Sequence, residues 1–165
     1  MTVNILAVGD VCGKAGMEML RSRLPSIKKM KNIDFTIVNG ENANVVGITP
    51  AQAENIFSAG ADVITLGNHT WSRWEIKEYL NEKSHIIRPA NYALCCPGRG
   101  HEVIRTRFGD LAVINLMGRF TLDANTGNPF VVADEIVSSL DTKLIVVDMH
   151  AEATSEKAAF GYYLD

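Results

Sequence analysis

The sequence predicts an α/β fold on a largely parallel sheet that becomes mixed in its later part. Three observations carry this. Apolar runs alternate with amphipathic segments along most of the chain, the pattern of βαβ units. The runs at residues 3–8, 35–38, 63–66 and 143–147 are almost continuously apolar, as strands covered on both faces are. Residues 103–108 and 111–116 are separated only by Gly109-Asp110, which reads as a hairpin with a Gly-Asp turn.

The elements follow in order. After the strand at 3–8, residues 15–31 place Met17, Leu20, Leu24 and Ile27 at spacings of three and four, the stripe of an amphipathic helix. Pro25 inside it is expected to kink or divide that helix. The strand at 35–38 is followed by Thr49-Pro50, an N-cap with proline at the first helical position, and by a helix to about Ser58 stopped at Gly60. Beyond the strand at 63–66, Ser72 and Glu75 form a capping-box pattern for a helix through residue 79 or 80. Residues 85–100 read as irregular, with Arg88-Pro89 and Cys96-Pro97-Gly98 as breakers. Past the hairpin come a Gly/Asn/Thr/Pro loop at 118–130, a helix at 131–140, the strand at 143–147 and a last helix at 156–164.

A chain of 165 residues is one domain by length, here residues 1–165. Apolar residues make up 47% and charged residues 21%, ordinary for a globular chain with a real core. Net charge is −3, and no Lys/Arg run is long enough for a nucleic-acid footprint. Lys28-Lys29-Met30-Lys31 reads as the solvated end of a helix. No apolar run approaches the roughly 20 residues of a membrane span. The first strand starts almost at once, so no signal peptide is expected. Three cysteines, two of them adjacent, make a poor disulfide framework and point to a reducing cytoplasm.

Four strand ends carry polar residues of metal-ligand type: Gly9-Asp10, Asn39-Gly40-Glu41-Asn42, Gly67-Asn68-His69 and Asp148-Met149-His150. Ligands of open α/β sheets bind beyond the carboxyl ends of the strands, so these four ends are expected to form one site. Oxygen donors with imidazole suit a divalent cation. Each residue also has a plain structural reading. Asp10 is equally a helix N-cap, the asparagines are turn formers, and His69 and His150 are equally satisfied structural histidines. Glu41 is harder to dismiss, because a carboxylate bridges two cations where a neutral group cannot neutralise them. Asp148 shares a strand face with His150 and is a candidate to orient it. His85 and His101 read as surface residues.

The glycine-rich turn Gly9-Asp10-Val11-Cys12-Gly13-Lys14-Ala15-Gly16 departs from the phosphate-loop pattern and reads first as a tight strand-to-helix turn, with a nucleotide-binding module on Gly13 and Gly16 as the lesser alternative. Three residues, not four, separate Gly9 from Gly13, and Ala15 replaces the required hydroxyl. The dinucleotide fingerprint fails as well, because its first glycine spacing is wrong and Asp10 would face a pyrophosphate.

These motifs resemble the calcineurin-like metallophosphoesterases. Cys12 stands where that superfamily usually has a metal-binding His, and Asn39-Gly40-Glu41-Asn42 replaces the usual Gly-Asp-x-x-Asp. Both departures are similar to the YmdB-like phosphodiesterase branch. So are Gly67-Asn68-His69-Thr70-Trp71, Arg88-Pro89-Ala90-Asn91 and the run from His150 to Lys157. The resemblance implies an αββα sandwich with mixed sheets. It implies Asp10, Glu41 and Asn42 on one metal, Glu41, Asn68 and His150 on the second, and iron or manganese as the pair. It implies hydrolysis of 2′,3′-cyclic nucleotides and cyclic AMP by a metal-activated hydroxide, with His69 as general acid. The family pattern continues past residue 165 with a strand and a Thr-His-Thr-His-type motif. The resemblance therefore implies an incomplete ligand set here, and uncovered apolar surface that favours a homo-oligomer. The rival expectation is an impaired fragment that binds a nucleotide, RNA or a protein partner.

Overall fold

The computed structural model describes residues 2–122 and 125–165. Part of the loop read at 118–130, residues 123–124, lies outside them. Two sheets stack face to face rather than forming one. The first is all parallel, in the order β1 (Ile5–Val8), β2 (Phe35–Asn39), β3 (Val63–Thr65), β4 (Ile86–Ile87). The second is mixed: β5 (His101–Thr106) runs antiparallel to β6 (Gly109–Met117), which pairs in parallel with β7 (Leu144–His150).

Side-chain alternation explains the layering. In β2, Val38 turns outward to the helices while Phe35 and Ile37 turn inward to the second sheet. The outer face of the first sheet is covered by α1 (Gly13–Lys31), α2 (Pro50–Ala59) and α3 (Ile76–Glu82), through Leu20, Leu24, Ala53, Ile56 and Leu80. Between the sheets, Phe35, Ile37, Val63 and Ile87 meet Leu111 and Val113. On the far side, α4 (Pro129–Ser139) and α5 (Thr154–Leu164) cover Ile114 and Leu116 with Ala133 and Phe160. Helix, sheet, sheet, helix is the αββα sandwich that the motif resemblance implies, with the second sheet mixed and the first all parallel. Each fully buried Leu or Ile contributes about 1.5–3 kcal/mol.

Two polar contacts fix one sheet on the other. Asn115, fully buried in β6, donates from Nδ2 to the carbonyls of Leu66 (2.7 Å) and Ile87 (3.1 Å), at the ends of β3 and β4. Thr65 Oγ1 on β3 donates to Asp148 Oδ2 on β7.

Local chemistry was a good guide at α2. Thr49 caps it, Gln52 completes a capping box, and Gly60 closes it at φ +114°. Elsewhere the structure corrects the expectation. Helix α1 runs unbroken through Pro25, because that proline is on the exposed face, where water can satisfy the freed carbonyl. Ser72 caps nothing. Its N–H is used in a turn to the carbonyl of His69, and α3 starts only at Ile76. The stretch read as irregular contains β4, since Ile86 and Ile87 are fully buried against β3. In the hairpin the turn residues are Arg107-Phe108, because Thr106 pairs with Gly109 and Phe108 packs between the sheets. His101 is half-buried, and burial lowers its imidazole pKa. The three cysteines are free. Among the described residues no helix is long and apolar enough to cross a membrane.

Candidate metal centre

The loops after β1, β2 and β3 and the end of β7 meet at one rim of the sandwich, and Glu41 is at their centre. Gly40 allows this. Its N–H donates to Thr65 O (3.0 Å), and a Cβ there would lie 3.0–3.2 Å from Ile56, Ile64 and Ile48, so only glycine brings the chain this close to the core. The next residue, Glu41, is therefore 2% exposed. Its Oε2 accepts from the backbone N–H of His69 (3.2 Å). Its Oε1 lies 3.4 Å from Asn42 Nδ2, 3.4 Å from His150 Nε2 and 4.0 Å from His69 Nδ1.

The other donors fall around it. Asn42 Nδ2 donates to Asp10 Oδ1 (2.9 Å), and Asn42 Oδ1 faces His69 Nδ1 at 2.8 Å. Asn68 Oδ1 faces His150 Nε2 at 2.9 Å. The six sequence candidates, Asp10, Glu41, Asn42, Asn68, His69 and His150, are thus one connected cluster. Asp10 is not the cap of α1: that position is Cys12, and the helix has no side-chain cap. Asp148 accepts from Thr65 rather than orienting His150, so its part is to dock β7 on β3.

Gly67, Thr65 and Tyr92 were given no role by the sequence. A Cβ on Gly67 would lie 2.6 Å from His150 Nε2 and closer still to Glu41 Oε2. The glycine keeps open the space into which these donors point. A lone glycine ending a strand run is the available sequence signal for such close approach. Tyr92 stacks edge-on with Trp71, ring centroids 4.6 Å apart. Burial first, then the Glu41 carboxylate, raises the Tyr92 phenol pKa, so the hydroxyl stays neutral beside the cluster.

The donors fit a cation. Burying a carboxylate is costly unless a charge compensates it. Among the described residues no Lys or Arg pairs with Glu41; only imidazoles and amides face it. Nor do three His, Cys, Asp or Glu side chains form a metal cluster by themselves among those residues. Asparagines complete the cluster instead: Asn68 turns its carbonyl to His150, while Asn42 turns its amide nitrogen to Asp10 and Glu41 and its carbonyl to His69. His150 Nε2, Asn68 Oδ1 and Glu41 Oε1 converge, the first 2.9 Å from the second and 3.4 Å from the third, and these are atoms that would hold a cation.

Stacked sheets with helices outside, and acid, amide and imidazole donors on the strand ends, define a metallophosphoesterase-type protein. The chain belongs to the YmdB-like family, whose model matches residues 6–165. It is 41% identical over 166 residues to a Bacillus subtilis (strain 168) protein named 2′,3′-cyclic-nucleotide 2′-phosphodiesterase, covering 99% of this chain and 62% of that protein. The crystal structure of a phosphatase from Mycoplasma pneumoniae superposes with a TM-score of 0.91 at 34% identity, covering 100% of this chain and 61% of that one. A Thermus thermophilus protein of no stated function superposes at 0.89 and 34% identity, covering 98% of this chain and 63% of that one. This chain thus spans about three fifths of the length of these relatives.

Proposed function

We propose that the chain is a metal-dependent phosphodiesterase acting on 2′,3′-cyclic nucleotides, and on cyclic AMP as a second substrate. The observation that carries this is Glu41: a carboxylate 2% exposed, paired with no Lys or Arg among the described residues, and faced by Asn42, His69 and His150. Asp10, Glu41 and Asn42 would hold one ion, and Glu41, Asn68 and His150 the second, with Glu41 shared. Iron and manganese both suit oxygen and imidazole donors. When bound, such a pair acidifies water toward neutral pH and polarises phosphoryl oxygens.

The chain's own residues do the rest. The Asn42 amide lies 2.8 Å from His69 Nδ1 and engages that nitrogen. That hydrogen bond leaves His69 Nε2 to carry the transferable proton. Protonated at Nε2, His69 gives that proton to the departing ribose oxygen, which contributes about 10²–10⁴-fold. The backbone N–H of His69 meanwhile holds Glu41 in place. The relative named as a 2′,3′-cyclic-nucleotide 2′-phosphodiesterase supports the substrate class.

The test is elemental analysis of the purified chain together with hydrolysis of 2′,3′-cyclic AMP before and after chelation. We expect bound iron or manganese, loss of turnover with chelator, and recovery on adding manganese. Turnover unaffected by complete metal removal would overturn the reading.

A further inference from the structure

The loop that follows β6 is held in place by a residue the cluster does not use. Glu156, in the first turn of α5, accepts hydrogen bonds from the backbone N–H groups of Arg119 (Oε1, 2.8 Å) and Phe120 (Oε2, 3.4 Å). Gly118 lets the loop lie against this carboxylate: a Cβ there would lie 2.6 Å from Ala151 Cβ and overlap Glu156 Oε2. The loop also starts level with the metal centre. Met117 pairs with His150 in the β6–β7 register, and Gly118 N donates to His150 O (2.8 Å). One extended residue advances about 3.3 Å, so Arg119 and Phe120 lie within side-chain reach of the rim where His150 meets Asn68.

Among the described residues, the side chains the loop displays belong to no core cluster and no ion pair. Phe120 is 65% exposed, so its ring face is open to a ligand. Arg119 is exposed and pairs with no carboxylate among the described residues. A cation and an exposed aromatic ring beside a phosphoester site match the two parts of a nucleotide. Guanidinium binds phosphoryl oxygens through charge-assisted hydrogen bonds, and an aromatic face stacks a base whatever its sequence identity.

We propose that Arg119 and Phe120 are the nucleotide-reading wall of this site. Arg119 takes the phosphate, Phe120 takes the base, and Glu156 is the positioning residue that holds both level with His150. The inference rests on the phosphodiesterase reading for its substrate class, but its test reads binding as well as turnover.

The experiment titrates the full chain with adenosine 3′-monophosphate and, separately, with inorganic phosphate, with and without manganese, by calorimetry. Phe120→Ala is expected to weaken the nucleotide about 5–100-fold and leave phosphate alone, as the loss of one stacked base does. Arg119→Ala is expected to weaken both ligands about 10-fold or more. Glu156→Ala should reproduce the nucleotide defect, and Glu156→Gln, which keeps one carbonyl acceptor, should restore most of it. Circular dichroism checks each fold, and Phe120→Ala decides the matter if Glu156→Ala does not fold. Nucleotide binding by Phe120→Ala equal to that of the unmutated chain overturns the proposal, as does absence of nucleotide binding by the unmutated chain. Cyclic-nucleotide hydrolysis is measured alongside. Hydrolysis present with binding indifferent to Phe120 sinks this inference and spares the function. Binding dependent on Phe120 without hydrolysis does the reverse.

Discussion

Glu41 Oε1 lies 3.4 Å from His150 Nε2, a contact that carries the cluster from the first sheet to the second. Glu41 is on the loop after β2; His150 ends β7. Neither sheet alone carries both halves of the cluster. The separation of the two sheets is therefore a functional dimension, set by the residues that dock one on the other.

Thr65→Val tests that docking. The change keeps the side-chain shape and removes the hydroxyl that donates to Asp148. Asp148, half-buried between the sheets, then loses its partner. We expect a loss of about 1–3 kcal/mol in urea unfolding, the cost of an orphaned polar group. Metal affinity should fall with it, because His150 is two residues further along the same strand face. An unfolding midpoint and metal affinity both equal to those of the parent would remove Thr65 from this role.

Gly67→Ala tests the open space directly. The added methyl lies 2.6 Å from His150 Nε2 and closer still to Glu41 Oε2, so both the imidazole and the carboxylate must move. The backbone tolerates the change, since Gly67 is not among the glycines at positive φ. The expected result is a folded protein by circular dichroism with metal affinity and turnover each down at least about 10²-fold, the scale on which small displacements act at a reacting centre. Parental metal content in this variant would show that the donors converge elsewhere.

These experiments probe features that differ in how readable they were. Thr49, Pro50 and Gly60 announced α2 because caps are local chemistry. The four polar strand ends were visible because ligands gather where parallel strands finish. The split into two sheets was not visible from periodicity. Strands apolar on both faces fit one covered sheet as well as two stacked ones, and Asn115 chooses between them through carbonyls 49 and 28 residues away in sequence. The same limit hid the Thr65–Asp148 latch and the grip of Glu156 on Arg119 and Phe120. Each is a side-chain contact across the fold, and spacing along one segment cannot encode it.

His69→Ala separates acid catalysis from metal binding. Glu41 is held by the backbone N–H of residue 69, which alanine keeps, while the imidazole is 4.0 Å from that carboxylate. Metal content should remain at the parental level while kcat on 2′,3′-cyclic AMP falls about 10²–10⁴-fold. A substrate whose leaving group needs no proton, such as a nitrophenyl ester, should lose much less. Loss of metal from this variant would make His69 a ligand instead of the acid.

Glu41→Gln is the sharpest test, because it predicts opposite effects with and without metal. Without metal, the buried Glu41 carboxyl is faced, among the described residues, by amides and imidazoles and by no Lys or Arg. Replacing an ionisable group buried without a cationic partner by its neutral isostere costs little, so the metal-free variant should unfold at the same temperature as the parent or above it. With manganese the order reverses. A ligand at about 100 times its Kd stabilises the parent by about 2.7 kcal/mol, and a variant without the shared carboxylate gains little of this. Thermal unfolding with and without manganese gives all four values. A parent that gains no stability from manganese, or a variant that gains as much as the parent, would mean that the buried carboxylate does not serve a cation.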